Sequence, residues 1–289
     1  MYKVSLELSP EDFEIVASAL GEIEQINWTV EKTDDCFQLC GYFDGDYQAD
    51  WENLQKAIPL LQNKSLNVCE VQEKDWANEY KKYLNPVKIG PLHIIPIWEK
   101  STYSVPDREF GIYLDAEMAF GTGAHETTQL CLARIVEYRN LFEKELFAKH
   151  VIDVGCGSGI LSIAAAKLGF PGVYGFDIDP DAITISEQNA KINQAPNITF
   201  KVADIKTGIL GHQGDLIVAN VLAPILIDHA SILVNTVKKY GCLSLSGILA
   251  SEMDKVRDVF DPLVKRYWDS FLSSKKVLRQ WAEIAYIRM

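Results

Sequence analysis

His150-Val-Ile-Asp-Val-Gly155-Cys-Gly157-Ser-Gly159-Ile160 joins a short β-branched run to three glycines at alternate positions, and an alanine-rich stretch follows. His150 to Val154 reads as a buried strand, and Leu161 to Leu168 as a helix closed by Gly169. Between them the glycines allow a tight turn and close approach of the main chain to a ligand, because a residue without a Cβ tolerates both. The spacing Gly-x-Gly-x-Gly departs from the Gly-x-Gly-x-x-Gly of a pyrophosphate site, which disfavours a nicotinamide or flavin oxidoreductase.

Twenty-two residues past Gly155, a second strand-like run, Gly172-Val-Tyr-Gly-Phe-Asp177, ends in a carboxylate. An acid at this distance accepts hydrogen bonds from both hydroxyls of a ribose. Strand, glycine loop, helix, strand and acid in that order predict a nucleoside cofactor site. In an open α/β sheet ligands lie outside the carboxyl ends of the strands, so the end residues Gly155, Asp177, Asp204 and Asn220 are the candidates. Asp204, after Thr199-Phe-Lys-Val-Ala203, is placed to accept from the exocyclic amine of adenine, the alternative being a surface acid that caps a loop. Asn220 closes the apolar run Leu216-Ile-Val-Ala219, where a buried amide without partners is costly; it faces the cleft or forms a turn.

The chain has 289 residues, 48% hydrophobic and 24% charged, enough for one large domain or two ordinary ones. It lacks an apolar run of about 18 residues and an apolar signal core, so a cytoplasmic protein away from membranes is expected. Six cysteines are scattered without Cys-x-x-Cys pairs or histidine clusters, which predicts reduced thiols and no metal site. Cys156, inside the glycine loop, reads as a small core-facing residue in preference to a reactive thiol. Charge is uneven: residues 1–73 hold 15 Asp and Glu against 4 Lys, nearly all of the net charge of −12.

Residues 1–73 follow a β-α-β-β-α-β order, with strands at 2–8, 26–31, 36–43 and 67–72 and helices from Ser9-Pro-Glu-Asp12 to Leu20 and near 50–62. That order predicts an α+β, ferredoxin-like first domain. A polar, aromatic stretch over 74–85 reads as a linker. Over 86–289, strands near 87–89, 92–98 and 109–115 precede a helix from Thr127 to Arg139 and the glycine-loop unit. Strands at 198–203, 215–221 and 241–246 then alternate with helices near 180–193, 224–238 and 250–261. Alternation implies a mainly parallel sheet covered on both faces, and the runs 270–278 and 281–288 an antiparallel pair at its edge.

Here the chain resembles the class I S-adenosylmethionine-dependent methyltransferases, whose sheet is Rossmann-like, and among them the family that methylates large-subunit ribosomal protein eleven. The resemblance rests on Ala119-Phe-Gly-Thr-Gly-Ala-His-Glu-Thr-Thr128 with Leu130-Cys-Leu132, Asp153 to Leu161 and Gly175-Phe-Asp-Ile-Asp-Pro180. Ala219-Asn-Val-Leu-Ala223, Leu245-Ser-Gly-Ile-Leu249, the Pro86 to Trp98 segment and Gln280-Trp281 extend it from about residue 76 onward. It implies S-adenosylmethionine as cofactor, contacted by Thr128, Gly155, Asp177 and Asn220; Gly157 in the same loop and Asp204, from its place at a strand end, complete the expected cofactor residues. Thr128, at a helix start, would hold the donor's carboxylate. It also implies a substrate that is a basic ribosomal protein, modified on lysine side chains and the terminal amine, with Asn220 orienting the nitrogen. The acidic first domain is then a recognition module that attracts that protein, and direct nucleic-acid binding is not expected.

Two departures from the family pattern stand at the loop before the helix: Asp115-Ala116-Glu117 replaces Asp-Pro-Gly, and Ala124-His125-Glu126 replaces Thr-His-Pro. They raise Glu126 or His125 as an acceptor for the amine's proton, against a plain helix N-terminal acid. A glutamine-side-chain methyltransferase would carry Asn-Pro-Pro-Tyr where this chain has Asn220-Val-Leu-Ala223. A non-catalytic nucleoside-binding module is the alternative from a different class.

Overall fold

Alternation along Tyr2–Leu8 (β1) turns Val4, Leu6 and Leu8 onto one buried face. The computed structural model describes residues 2–20, 28–32, 37–43, 47–62, 64–70, 85–114 and 125–289, and the chain divides into compact units at 1–83 and 84–289. The linker expected over 74–85 lies, apart from Asn85, outside the described residues.

In the first unit Ser9 accepts the Asp12 amide at 3.1 Å and starts α1 (Pro10–Leu20). β2 (Trp28–Lys32), β3 (Phe37–Phe43), α2 (Gln48–Ala57) and β4 (Asn67–Glu70) follow. The antiparallel sheet has order β2-β3-β1-β4, the arrangement of a ferredoxin-like module. The second helix stops at Ala57, short of the expected 62, because Pro59 forces Ile58 out of helical geometry and only a 3-10 turn, Pro59–Leu61, continues.

The second unit opens with β5 (Val87–Ile89), β6 (Leu92–Pro96) and β7 (Phe110–Leu114), which form a three-stranded sheet of their own. Then come α3 (Glu126–Leu141), β8 (His150–Val154), α4 (Ile160–Lys167), β9 (Gly172–Asp177), α5 (Pro180–Ile192) and β10 (Ile198–Val202). After α6 (Ile205–Ile209) and β11 (Gly214–Asn220), the stretch expected as one helix over 224–238 is two, α7 (Ala223–Asp228) and α8 (Ala230–Thr236). The break falls at His229, whose ring takes the Ile225 carbonyl at 2.9 Å while its amide turns to Leu226. A side chain has displaced the backbone donor.

β12 (Val237–Leu249), α9 (Met253–Tyr267), β13 (Phe271–Leu278) and β14 (Trp281–Arg288) complete the unit. The last helix runs through Pro262, past its expected end at 261, because Val256, Phe260 and Val264 are fully buried on one face. The seven-stranded sheet has order β10-β9-β8-β11-β12-β14-β13, parallel through β12, with β14 and β13 antiparallel. Apolar clusters cover both faces, one with α3 and α4, the other with α7, α8 and α9. Across the first, Arg134 donates from Nε and Nη2 to the two carboxylate oxygens of fully buried Glu283, at 2.8 and 2.9 Å. Ser244 donates a third bond to the same carboxylate at 2.8 Å.

Candidate active site

Strand order reverses between β8 and β11, and a cleft opens at the carboxyl ends of the strands there, where open α/β sheets bind ligands. It has a volume of about 690 Å³, within the range of small-molecule and cofactor pockets. Gly155, Gly157, Asp177, Asp204 and Asn220 all line it. Five of the six expected cofactor residues are thereby brought together.

The glycine loop is required by backbone geometry. Gly155, Gly157 and Gly159 have φ of 68°, 52° and 77°. A Cβ on Gly155 would lie 2.6 Å from Val221 Cγ1, and one on Gly159 would lie 2.8 Å from Ser186 Cβ. Three amides of the loop are satisfied within the protein. Gly155 and Cys156 donate to the Phe176 carbonyl at 2.9 and 3.0 Å, and Gly157 donates to Asp177 Oδ2 at 2.9 Å. The loop thus fastens the end of β8 to that of β9 and orients a carboxylate at the cleft. Asp179 completes that orientation by donating to Oδ1 at 3.1 Å. Each Asp177 oxygen keeps a lone pair for a hydroxyl.

Asp204 combines the two roles read from the sequence. It caps α6, with Oδ1 accepting the Thr207 amide and hydroxyl, both at 2.7 Å, and it also lines the cleft. The Thr207 amide, then its hydroxyl, hold the carboxyl below its ordinary range, so it stays an acceptor. Asn220 is half-buried at the end of β11, paired in register with Ser246 of β12.

Thr128 is placed differently. It is 1% exposed in the first turn of α3, does not line the cleft, and its hydroxyl is buried without a partner among the described residues. Residues 115–124, which carry most of the Phe-Gly-Thr-Gly stretch, fall outside the described residues. His125 caps α3, its ring 4.9 Å from that of Trp281 in an edge contact. Glu126 pairs with Arg279 at 2.8 Å. Its own backbone amide, and then Arg279, hold it below the ordinary carboxylate range, as suits an acid at a helix start.

Two features escaped the sequence reading. Asp153 is fully buried under the loop, with Oδ2 accepting the Ser162 amide and hydroxyl at 3.0 and 2.7 Å and Oδ1 unpartnered among the described residues. Burial raises its pKa to about 6. His229 lines the cleft as well. Cys156, by contrast, is as expected, a buried thiol that desolvation pushes up.

A sequence profile described as ribosomal protein L11 methyltransferase (PrmA) matches residues 9–285. The chain belongs to this family. A ribosomal protein L11 methyltransferase of Caldanaerobacter subterraneus is 38% identical over 224 residues, 74% of this chain and 69% of that protein. One from Exiguobacterium is 37% identical over 248 residues, 83% of this chain and 75% of that protein. The crystal structure of a ribosomal protein L11 methylase from Lactobacillus delbrueckii subsp. bulgaricus superposes with a TM-score of 0.61 at 31% identity, covering 71% of this chain and 99% of that one. The family thus accounts for the class I methyltransferase sheet. Among the described residues no helix is long and apolar enough to cross a membrane.

Proposed function

We propose that this chain transfers methyl groups from S-adenosylmethionine to amines of ribosomal protein L11, at lysine side chains and the terminal amine. The supporting observation is the cleft at the β8/β11 reversal, where Asp177 is held by two amides with lone pairs to spare. A ribose on Asp177 and an adenine amine on Asp204 suit those acceptors, and the pocket volume suits a nucleoside. When bound, the donor supplies a methyl on a positive sulfur, which leaves as a neutral thioether when the C–S bond breaks and an N–C bond forms.

The chain's own residues then have one task, to present a neutral amine in line. A lysine with pKa near about 10.4 is mostly protonated at neutral pH and has no lone pair. Desolvation against the cleft's apolar side chains, Val221 and Ile225 among them, favours loss of its proton to solvent. Asn220 accepts one N–H of the neutral amine and aims its lone pair, so that proximity carries much of the rate. The acidic first unit attracts a basic ribosomal protein in the cytoplasm and repels phosphate, so nucleic acid is not a direct partner.

Mass spectrometry of purified ribosomal protein L11 after incubation with this chain and S-adenosylmethionine tests the reading. Gains in steps of one methylene on lysines and the terminal amine are expected. An unmodified protein, or methyl groups confined to glutamine, would overturn it.

A further inference from the structure

One polar side chain in the cleft is unused by this reading. His229 is half-buried on the cleft wall at the break between α7 and α8. Its Nδ1 lies 2.9 Å from the Ile225 carbonyl oxygen. A carbonyl can only accept, so Nδ1 carries the hydrogen, and the neutral ring presents Nε2 as an acceptor. Nε2 makes no hydrogen bond among the described residues. The interaction that broke the helix has therefore also fixed the tautomer.

Its neighbours locate it along the cleft. α8, which starts at the next residue, packs against α6, the helix that Asp204 caps. His229 and Asp204 thus line one cleft, each at the start of one of two helices that touch. Both Thr207 contacts fall on Asp204 Oδ1, and the Lys206 amide also reaches the carboxyl, so with two lone pairs of its own Oδ2 keeps at least one for a ligand. The other titratable groups on the cleft, Asp177, Asp179 and Asp181, come from β9 and the start of α5. The cleft therefore carries two side-chain acceptors, His229 and Asp204, from separate elements.

We infer that His229 and Asp204 together read the exocyclic amine of the donor's nucleobase, selecting a 6-aminopurine over a 6-oxopurine. This rests on the reading of the cleft as a nucleoside site. An exocyclic amine has two N–H groups and satisfies two acceptors at once. A 6-oxo group offers only lone pairs, which would face the lone pairs of Oδ2 and Nε2. With Asp204 alone, one N–H would suffice and the second would point to water.

The test is calorimetric binding of S-adenosylhomocysteine and of its deaminated S-inosyl counterpart to the full chain and to His229→Phe and His229→Gln. The unaltered chain should prefer the adenosyl compound by on the order of 100-fold, since polar sites reject analogues that leave their groups unpaired. His229→Phe, which keeps a ring and loses the acceptor, should narrow that ratio by about 5- to 10-fold, the worth of one hydrogen bond. His229→Gln, whose amide oxygen again accepts, should keep the ratio within about 3-fold of the original. An unchanged ratio in His229→Phe with adenosyl binding intact overturns the role of His229 and leaves the nucleoside site standing. Loss of the preference in His229→Gln to the same degree as in His229→Phe also counts against it. Failure of the unaltered chain to bind either compound overturns both readings.

Discussion

Exchanging Asp177 for asparagine keeps the side chain's shape and removes its charge and one acceptor. Each carboxylate oxygen now holds a backbone amide, Gly157 at 2.9 Å and Asp179 at 3.1 Å. A carboxamide can accept only one of these and turns an NH₂ against the other. An amide left without its partner costs about 1–3 kcal/mol when buried, and near the lower figure here because the residue is half-buried. For a unit of this size that lowers Tm by about 2–4 °C. Donor binding should suffer more, since a hydrogen bond to a charged group contributes about 1.5–3 kcal/mol. Affinity for S-adenosylhomocysteine should fall by roughly 10- to 100-fold. Calorimetry and a thermal melt on the same sample separate the two effects. An affinity within about twofold of the original, beside the expected Tm shift, would show that Asp177 braces the loop and does not hold the sugar.

Asp153→Asn addresses the buried carboxyl beneath the loop. Its folded pKa is raised from 3.8 to about 6, so the native state binds its proton more tightly than the unfolded chain. That group's stabilisation is complete below about pH 4 and is lost as pH rises to about 6, on the order of 3 kcal/mol in all. Urea unfolding should therefore find the Asn variant gaining on the original across that window, and parallel pH profiles would refute the assignment. Gly159→Ala should destabilise by about 2–4 kcal/mol, from left-handed backbone plus the Ser186 contact. Gly211→Ala, with φ of 79° and nothing within 4 Å of the added Cβ, should cost only about 1–2 kcal/mol; equal Tm shifts would sink the steric argument. Steering by the acidic first unit predicts that kcat/KM on the ribosomal protein drops by about tenfold or more between about 20 and 300 mM salt. A flat salt profile would remove that role.

The glycine loop and Asp177 were legible because each is a backbone requirement written in residue type. A positive φ needs glycine, and a strand-end acid at fixed spacing follows from the βαβ unit. The element order was legible for a similar reason, since burial on one or both faces leaves a period in the chain. What the sequence hid were competitions. Whether Ile225 bonds the His229 amide or its ring, and so whether 224–238 is one helix or two, depends on side-chain geometry that no period records. Helix α9 runs through Pro262 because three apolar side chains find a core, which local propensity does not contain. The bonding of two loop amides within the protein follows from the Phe176 carbonyl standing beside them across two strands. Thr128 shows the converse limit, for similarity to a motif names a position without recording how deeply its side chain is buried.

The insertion of β14 between β12 and β13 bears on how the second unit is made. Arg134 is translated 149 residues before Glu283, the carboxylate that neutralises it. Until residues 281–288 dock, β12 and β13 have unpaired edges and a cation waits in an apolar layer. Pairings of such long range close slowly, because loop entropy is spent before they form. The nascent sheet therefore passes through a stage with the glycine loop already synthesised and two open edges exposed, and that interval is where a holding chaperone would matter most.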